Sequence, residues 1–250
     1  MPDGEAPWYN TSVMGQVATD NTDKVKIAVF DFDDTSIEGS SPTRLVRRLI
    51  AERRITPLTS AKIALWGIAY KWHLPQNEAW VRGQVFTAFE GRSKEEVDRY
   101  LTSFYDECIA KRFRPKADEA MRKAAEEGCE VIVVSASFEP IVLRAMEGHP
   151  FQYQISTRMK VAEDGTYTRE VDGKPIEGEQ KLVALKHWCD GRFGDGGWVL
   201  EYAYGDHHSD EPLLAAANHP FAVSPNTGLS HIAKRRSWPI LDWSIDVPKS

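Results

Sequence analysis

Cysteine is scarce in this sequence, with three among 250 residues. Cys108, Cys129 and Cys189 lie far apart and lack the spacing of a metal site, so we expect buried free thiols in a reducing compartment rather than a disulfide framework. Long apolar runs are also missing, since no segment approaches the roughly 18–20 apolar residues that a spanning helix needs. No basic stretch followed by an apolar run begins the chain, which argues against a signal peptide. The cytoplasm is therefore the expected location.

The sequence also lacks an excess of positive charge. It has 31 lysines and arginines against 37 acidic residues, a formal net charge of −6, and its basic residues are dispersed. This distribution gives no broad electrostatic attraction for nucleic acid or for an anionic membrane surface. Any binding of a phosphate group must therefore depend on a few local cations. The composition, 42% hydrophobic and 27% charged, is typical of a globular protein.

The apolar residues that are present alternate between strand-like and helix-like segments. Short β-branched runs predict strands at 25–30, 129–134, 198–204 and 220–223. Apolar residues at helical spacing predict helices at 116–128, 182–188 and 211–217. Strands that alternate with helices indicate an α/β fold, with a Rossmann-like parallel sheet and helices on both faces.

A long insert separates the first two predicted strands. Residues 39–114 have helical patterns at 44–54, 60–73, 77–89 and 93–108, and we expect them to form a separate helical unit over the sheet edge. The core domain would then comprise residues 25–38 and 115–250, and residues 1–24 would be a loosely ordered extension. Residues 153–175 are β-like, with Asp164-Gly165 as a hairpin turn.

Polar residues that could bind a metal or take part in a reaction occur where the predicted strands end or where the next helix begins. Because the carboxyl ends of parallel strands meet at one edge of a sheet, these residues should lie close together. Clustered carboxylates repel one another unless a cation binds them, and oxygen ligands suit Mg²⁺. A carboxylate at such a site can attack phosphorus, while a lysine and a hydroxyl hold the transferred oxygens. The residues concerned are Asp31, Asp33, Ser135, Lys181, Asp206 and Asp210.

Four segments in this order resemble the motifs of the haloacid dehalogenase (HAD) superfamily, close to subfamily IB and its phosphoserine phosphatase-like enzymes. They are Asp31-Phe32-Asp33-Asp34-Thr35, Val133-Val134-Ser135-Ala136-Ser137, Gly178-Glu179-Gln180-Lys181 and Gly205-Asp206-His207-His208-Ser209-Asp210. The resemblance covers about residues 25–223. It implies a HAD-like core in which the helical insert is the family's cap, and a Mg²⁺-dependent phosphatase that acts on a small or medium organic phosphomonoester.

The resemblance also implies roles for individual residues. Asp31 would be the nucleophile and a metal ligand, and Asp33 would be the general acid and base, with its backbone carbonyl on the metal. Ser135, Ala136 and Lys181 would bind the phosphoryl group, and Lys181 would also screen the carboxylates from one another. Asp206 would ligate Mg²⁺ directly. Asp210 would hold the metal site directly or through another group.

Three positions depart from the family pattern. Asp34 stands where a smaller residue is common, and we expect its side chain to point away from the site. Phosphoserine phosphatases usually have a substrate-binding glutamate where this chain has Ser40, and the nearest acid is Glu38. Ser135 is followed by Ala136 and Ser137 rather than by glycines. Phosphoserine is therefore not assigned as the substrate.

Substrate contacts would come from the insert and the turn before it. Glu38, Arg44 and Arg82 are candidates, although solvated helix faces explain such arginines equally well. An aromatic stripe in the insert is most simply a cap core, and its alternatives are an apolar substrate pocket and a membrane-facing patch. The stripe consists of Leu65, Trp66, Ile68, Tyr70, Trp72 and Trp80.

Several alternatives remain beside the phosphatase. The same intermediate would serve a phosphotransferase that uses an alcohol instead of water, and a non-catalytic regulatory protein could keep the fold. Dehalogenation is disfavoured because it needs neither a second acid such as Asp33 nor magnesium. The adjacent His207 and His208 lack the ligand spacing of a zinc site. Strand-terminal aspartates can also act only as turn or helix caps.

Overall fold

The computed structural model describes residues 24–56 and 85–245, and its centre is a six-stranded sheet. The strand order is β3-β2-β1-β6-β7-β8, and all neighbouring strands are parallel. A separate antiparallel pair is formed by β4 and β5. The strands are β1 (Val25–Phe30), β2 (Cys129–Phe138), β3 (Tyr153–Thr157), β4 (Met159–Val161), β5 (Tyr167–Val171), β6 (Trp198–Gly205), β7 (His219–Val223) and β8 (Ile240–Leu241).

Helices pack on both faces of this sheet. Ala28 and Phe30 of β1 belong to the apolar core on one face, and Ile27 and Val29 to the core on the other. All four side chains are fully buried, as expected for a central parallel strand. The helices in the described residues are α1 (Ser41–Ala51), α2 (Lys94–Phe104), α3 (Pro115–Glu126), α4 (Glu139–Met146), α5 (Glu179–Phe193), α6 (Glu211–Ala215) and α7 (Thr227–Arg236).

The predicted α/β fold is therefore confirmed, with shifted boundaries. Strand β2 continues to Phe138, so Ser135 lies within the strand rather than after it. Helix α1 begins at Ser41 rather than Arg44, because the Ser40 side chain accepts a hydrogen bond from the Thr43 N–H as an N-cap. Helix α5 begins at Glu179, which places Lys181 in its first turn.

The segment 153–175 only partly matches its prediction as a β excursion. Its first strand, β3, belongs to the main sheet beside β2, whereas β4 and β5 form the hairpin. Gly165 takes a φ of +81° in the predicted turn, a conformation that suits glycine. The hairpin pairs with the start of α2, since Lys94 N–H donates to Gly165 O at 3.0 Å.

Parts of the predicted organisation lie outside the described residues. This applies to residues 1–23, to the predicted helix 60–73, to most of 77–89 and to the aromatic stripe. The division into core, insert and extension therefore stays a prediction. The three cysteines are free, with Cys129 and Cys189 buried and Cys108 half-buried. Among the described helices, none has the length and apolarity to cross a membrane.

Candidate active site

A tight turn after β1 brings the first two aspartates to the carboxyl edge of the sheet. The Asp31 N–H donates to Tyr204 O at 2.9 Å, which extends the pairing of β1 with β6. The turn Phe32–Ser36 follows, and the Ser36 hydroxyl donates to Asp31 O at 2.6 Å. This bond closes the chain back on itself directly after the strand. These two bonds hold the Asp31 backbone, and the residue is only 6% exposed.

Three carboxylates from two strand ends form a compact buried group. One oxygen from each of Asp31, Asp206 and Asp210 lies within 4.8 Å of the others. Close packing is needed here, since a Cβ atom on Gly205 would lie 2.9 Å from Asp210 Oδ2. The Thr35 hydroxyl donates to Asp206 Oδ1 at 3.2 Å. The structure therefore brings together the aspartates that the sequence pattern singled out after β1 and β6.

Lys181 supplies the positive charge inside this carboxylate group. Its Nζ lies 2.8 Å from Asp31 Oδ1 and 2.7 Å from Asp210 Oδ1. Burial lowers the pKa of Lys181, but the two carboxylates outweigh burial and raise the pKa of this lysine above its ordinary value. Lys181 is therefore a permanent cation that bridges α5 to the ends of β1 and β6.

One lysine does not compensate three carboxylates. Burial raises the pKa of Asp206, and the nearby charges of Asp31 and Asp210 raise it further. Burial also raises the pKa of Asp31, against the attraction of Lys181. A buried group of oxygen ligands with too little positive charge is what a hard divalent cation stabilises. The donor set therefore fits Mg²⁺.

The Asp33 carboxyl group accepts hydrogen bonds from two serines. Its Oδ1 accepts a 2.5 Å hydrogen bond from the Ser41 N–H, and its Oδ2 accepts one from the Ser137 hydroxyl. Burial raises the pKa of Asp33, while the bonds from Ser137 and Ser41 lower it. The sequence interpretation missed both serines as site residues. Ser137 lay within the second motif, but the contact of Ser41 depends on where α1 begins.

Ser135 lies at the same edge, on the strand next to β1. It is fully buried, and its hydroxyl accepts a hydrogen bond from the Ser137 N–H at 2.9 Å. Ala136 is partly exposed between the two serines. The register of β2 against β1, with Val133 opposite Phe30, brings Ser135 to the level of the turn Phe32–Ser36. No described hydrogen bond joins Ser135 to Asp31 or Lys181, so its role as a phosphate ligand stays a prediction.

The predicted substrate residues Glu38 and Arg44 flank the turn. Glu38 Oε2 lies 3.9 Å from Arg112 Nη1, and the Glu38 N–H donates to Arg112 O at 2.8 Å. The Arg44 guanidinium lies over Gly39, where an added Cβ would be 3.3 Å from Nη2. Burial and the nearby charges of Arg112 and Arg47 lower the pKa of Arg44. The third candidate, Arg82, lies outside the described residues.

The remaining polar residues of the motifs have local partners. The Asp34 carboxylate accepts a hydrogen bond from the Gly39 N–H at 2.9 Å, and the residue has a φ of +53°. The His207 imidazole lies 2.8 Å from the Ser209 hydroxyl, and His208 Nδ1 lies 3.3 Å from Asn226 Nδ2. Within the described residues, the group with metal-ligand spacing contains aspartates and no histidine.

The comparisons with known proteins identify the family. The family model of the haloacid dehalogenase-like hydrolases matches residues 28–215. The chain therefore belongs to the haloacid dehalogenase-like hydrolase family. A histidinol-phosphatase of Neisseria meningitidis is 26% identical over 226 residues, which cover 87% of this chain and 98% of that protein. Phosphoserine phosphatase SerB1 of Mycobacterium tuberculosis is 25% identical over 261 aligned positions, which cover 98% of this chain and 81% of that protein.

A solved structure shows the same fold. It is a protein of unknown function from Bordetella pertussis Tohama I, with a TM-score of 0.78 and 23% identity, and the match covers 89% of this chain and all of that one. The family, the named relatives and the motif residues at the sheet edge together define a HAD-type phosphatase, a phosphoric monoester hydrolase.

Proposed function

We propose that the protein is a Mg²⁺-dependent phosphatase that hydrolyses a small or medium organic phosphomonoester through an aspartyl-phosphate intermediate. The observation that carries this proposal is Lys181, whose ammonium bridges Asp31 and Asp210 inside the buried carboxylate group. Lys181 holds Asp31 at the sheet edge and supplies a cation for the phosphoryl oxygens. Stabilisation of that charge is the main requirement of phosphoryl transfer.

In this proposal each side chain has a defined task. The Asp31 carboxylate attacks phosphorus, and Asp33 gives a proton to the leaving oxygen. Asp33 then takes a proton from the water that hydrolyses the intermediate. Ser135, the backbone at Ala136 and Lys181 hold the phosphoryl oxygens. Division of the displacement into two steps lets one carboxyl group serve first as acid and then as base.

The metal would be held by Asp31, Asp206 and Asp210, together with the backbone carbonyl of Asp33. A Mg²⁺ ion at this position would neutralise charge on the phosphate oxygens and on the carboxylates. The chain's contribution is to hold three oxygen ligands within 4.8 Å of one another before the metal arrives.

The insert is proposed to act as a cap that selects the substrate and excludes bulk water. Glu38 and Arg44 lie at the junction of the turn and α1, and we propose that they contact the part of the substrate beyond the phosphate. The proposed binding partner is the phosphate ester substrate, and no nucleic acid partner is proposed. The three free cysteines support the cytoplasm as the location.

The test is phosphate release from an aryl phosphate with Mg²⁺ present. Asp31→Asn should abolish hydrolysis with the fold intact, and EDTA should abolish it reversibly. Asp34→Asn is a matched control in the same turn, because asparagine keeps the acceptor for Gly39 and tolerates a positive φ. Full activity of the Asp31→Asn variant, or full activity of the unmodified protein in EDTA, would contradict the mechanism.

The two alternatives are separated by product analysis. A phosphotransferase would give a new phosphate ester when alcohol acceptors are added, whereas the phosphatase would give inorganic phosphate. A non-catalytic regulatory protein would give neither product. The described residues contain all six side chains to which the motifs assign a role, which favours catalysis: Asp31, Asp33, Ser135, Lys181, Asp206 and Asp210.

A further inference from the structure

Two serine hydroxyls lie against Asp33, and they come from different parts of the chain. The Ser137 hydroxyl donates to Asp33 Oδ2, and the hydroxyl oxygens of Ser137 and Ser41 are 2.6 Å apart. The backbone N–H of Ser41 donates to Asp33 Oδ1. Ser41 is 0% exposed and Ser137 is 2% exposed, so solvent has little access to these bonds. Both oxygens of Asp33 are therefore held by protein donors.

The directions of these hydrogen bonds follow from a count of protons. Ser137 has one hydroxyl proton and donates it to Asp33, so the Ser41 hydroxyl must be the donor in the bond between the serines. Each carboxyl oxygen has two lone-pair positions, so Asp33 can carry a proton on a position that Ser137 does not use while the Ser137 bond to Oδ2 stays in place. A backbone N–H or a lysine can only donate, whereas a hydroxyl can donate or accept. The hydroxyl pair can therefore bond Asp33 in both protonation states.

The two serines also connect Asp33 to two structural elements. Ser137 lies near the end of β2, next to β1 in the sheet. Ser41 is the first residue of α1, the helix with which the insert begins. The orientation of the Asp33 carboxyl group thus depends both on the sheet and on the position of the first residue of α1.

We propose that Ser137, supported by Ser41, is a positioning residue that aims the Asp33 carboxyl group at the leaving oxygen in one step and at water in the next. This inference rests on the proposed function. In the first step, a bond forms between an Asp31 oxygen and phosphorus, the bond from phosphorus to the leaving oxygen breaks, and the Asp33 proton moves to that oxygen. In the second, a water oxygen bonds to phosphorus, the bond to Asp31 breaks, and a water proton moves to Asp33.

The dependence of kcat/KM on the leaving group of the ester distinguishes a positioning role of Ser137 from a purely structural one. An aryl phosphate that releases p-nitrophenolate needs little protonation of its leaving oxygen, whereas an alkyl phosphate needs a proton transfer in the transition state. Ser137→Ala should lower kcat/KM for the alkyl phosphate by roughly 10–100-fold, part of the total contribution of a general acid. The loss in kcat/KM for p-nitrophenyl phosphate should be within about 3-fold, because that ester makes little use of the acid and kcat/KM does not include the later hydrolysis of the intermediate.

Two comparisons sharpen the test. Asp33→Asn should show the same leaving-group pattern with a larger loss. Ser41→Ala should show it weakly, and it should add nothing to Ser137→Ala, because its hydroxyl acts through Ser137. Ser156→Ala is the matched control. Ser156 is a buried serine on the neighbouring strand β3 that donates to Gln154, and its loss should not change the ratio of the two rates.

Each outcome decides the inference. An equal loss of kcat/KM for both esters in Ser137→Ala, with native circular dichroism, would overturn it. If Ser137→Ala does not fold, Ser137→Cys keeps the size with a weaker donor, and the same rule then applies to the rate ratio of that variant. Failure of the proposed function itself looks different, since the unmodified protein would then hydrolyse neither ester or Asp31→Asn would remain active.

Discussion

The ammonium of Lys181 lies 2.8 Å from a carboxylate oxygen of Asp31, and the carboxylate of Asp210 lies 2.7 Å from the same nitrogen. This nitrogen joins the first turn of α5 to the ends of two strands. Lys181 is 5% exposed, so the interaction takes place away from solvent, where charges interact strongly. The proposed nucleophile is thus held by a group that also neutralises part of its surroundings.

Replacement of Lys181 by methionine should affect both stability and activity. The change leaves two buried carboxylates without their cation, which costs about 3–5 kcal/mol of unfolding free energy when one partner of a buried pair is lost. Urea unfolding in EDTA measures this loss. Phosphate release should fall to background at saturating Mg²⁺. Lys186→Met is the control, because Lys186 is exposed on the same helix. Wild-type stability of Lys181→Met would contradict the described ion pairs.

Mg²⁺ should stabilise the protein, and Asp206 should be required for this effect. A metal that binds only the folded state at about 100 times its Kd adds about 2.7 kcal/mol. Asp206→Asn should remove this gain in thermal unfolding experiments. In EDTA the same variant should be more stable than the unmodified protein, since it removes one of three mutually repelling carboxylates. Asp195→Asn, an exposed loop variant, should leave both stabilities unchanged.

Arg114 should be needed to hold the turn that carries Asp31 and Asp33. Its buried guanidinium donates to Asp34 O at 3.2 Å, to Ile37 O at 3.4 Å and to the Ser224 hydroxyl at 3.4 Å. Arg114→Ala should lower the unfolding free energy by about 2–3 kcal/mol, because hydrogen bonds from a charged group are lost.

The matched control for Arg114 is Arg122→Ala on α3, whose side chain is 59% exposed. Denaturant unfolding of the two variants provides the comparison, and kcat for p-nitrophenyl phosphate should fall in Arg114→Ala alone. Equal stability of the two variants would show that the carbonyl contacts do not hold the turn.

Arg44 should affect the choice of substrate more than the chemical step. Arg44→Ala is expected to lower kcat/KM for the best substrate of a phosphate ester panel by about 10-fold, which corresponds to about 1.4 kcal/mol. The panel comprises phosphoamino acids, sugar phosphates, nucleotides and lipid phosphates. Arg47→Ala is the control, because Arg47 is exposed on the same helix. If both variants lose the same activity, Arg44 has no special contact with the substrate.

Much of the fold and of the site could be predicted because the relevant signals are local. Asp31 directly follows the strand Val25–Phe30, and parallel strands bring their carboxyl ends to one edge of a sheet. Lys181 and Asp210 followed from motif order. Their contact could be expected from topology, although its distance could not.

The Ser41 contact with Asp33 could not be predicted, because it depends on the backbone between them. Asp34 takes a positive φ that only the folded turn specifies, and this turn sets the direction in which the chain enters α1. The run Ser40-Ser41-Pro42 has the signals of a turn, yet proline is also tolerated in the first turn of a helix. Periodicity placed the helix start three residues too late for this reason.

Strand β3 was assigned to the hairpin excursion for a different reason. Tyr153 and Gln154 are only partly buried, since β3 lies at the sheet edge, and the apolar signal of the strand is weak. Its place beside β2 is set by parallel pairing with Ile132–Ser135, a long-range contact that a local pattern does not contain.

The most direct test of the proposed mechanism is chemical trapping of the phosphorylated residue. The protein is mixed with p-nitrophenyl phosphate and Mg²⁺, quenched in acid, and treated with borohydride, which reduces an aspartyl phosphate to homoserine. Peptide mass spectrometry then locates the modified position. We predict homoserine at position 31 in the unmodified protein and none in Asp31→Asn. Homoserine at another aspartate, or phosphate release without any modified residue at position 31, would contradict the role of Asp31 as nucleophile.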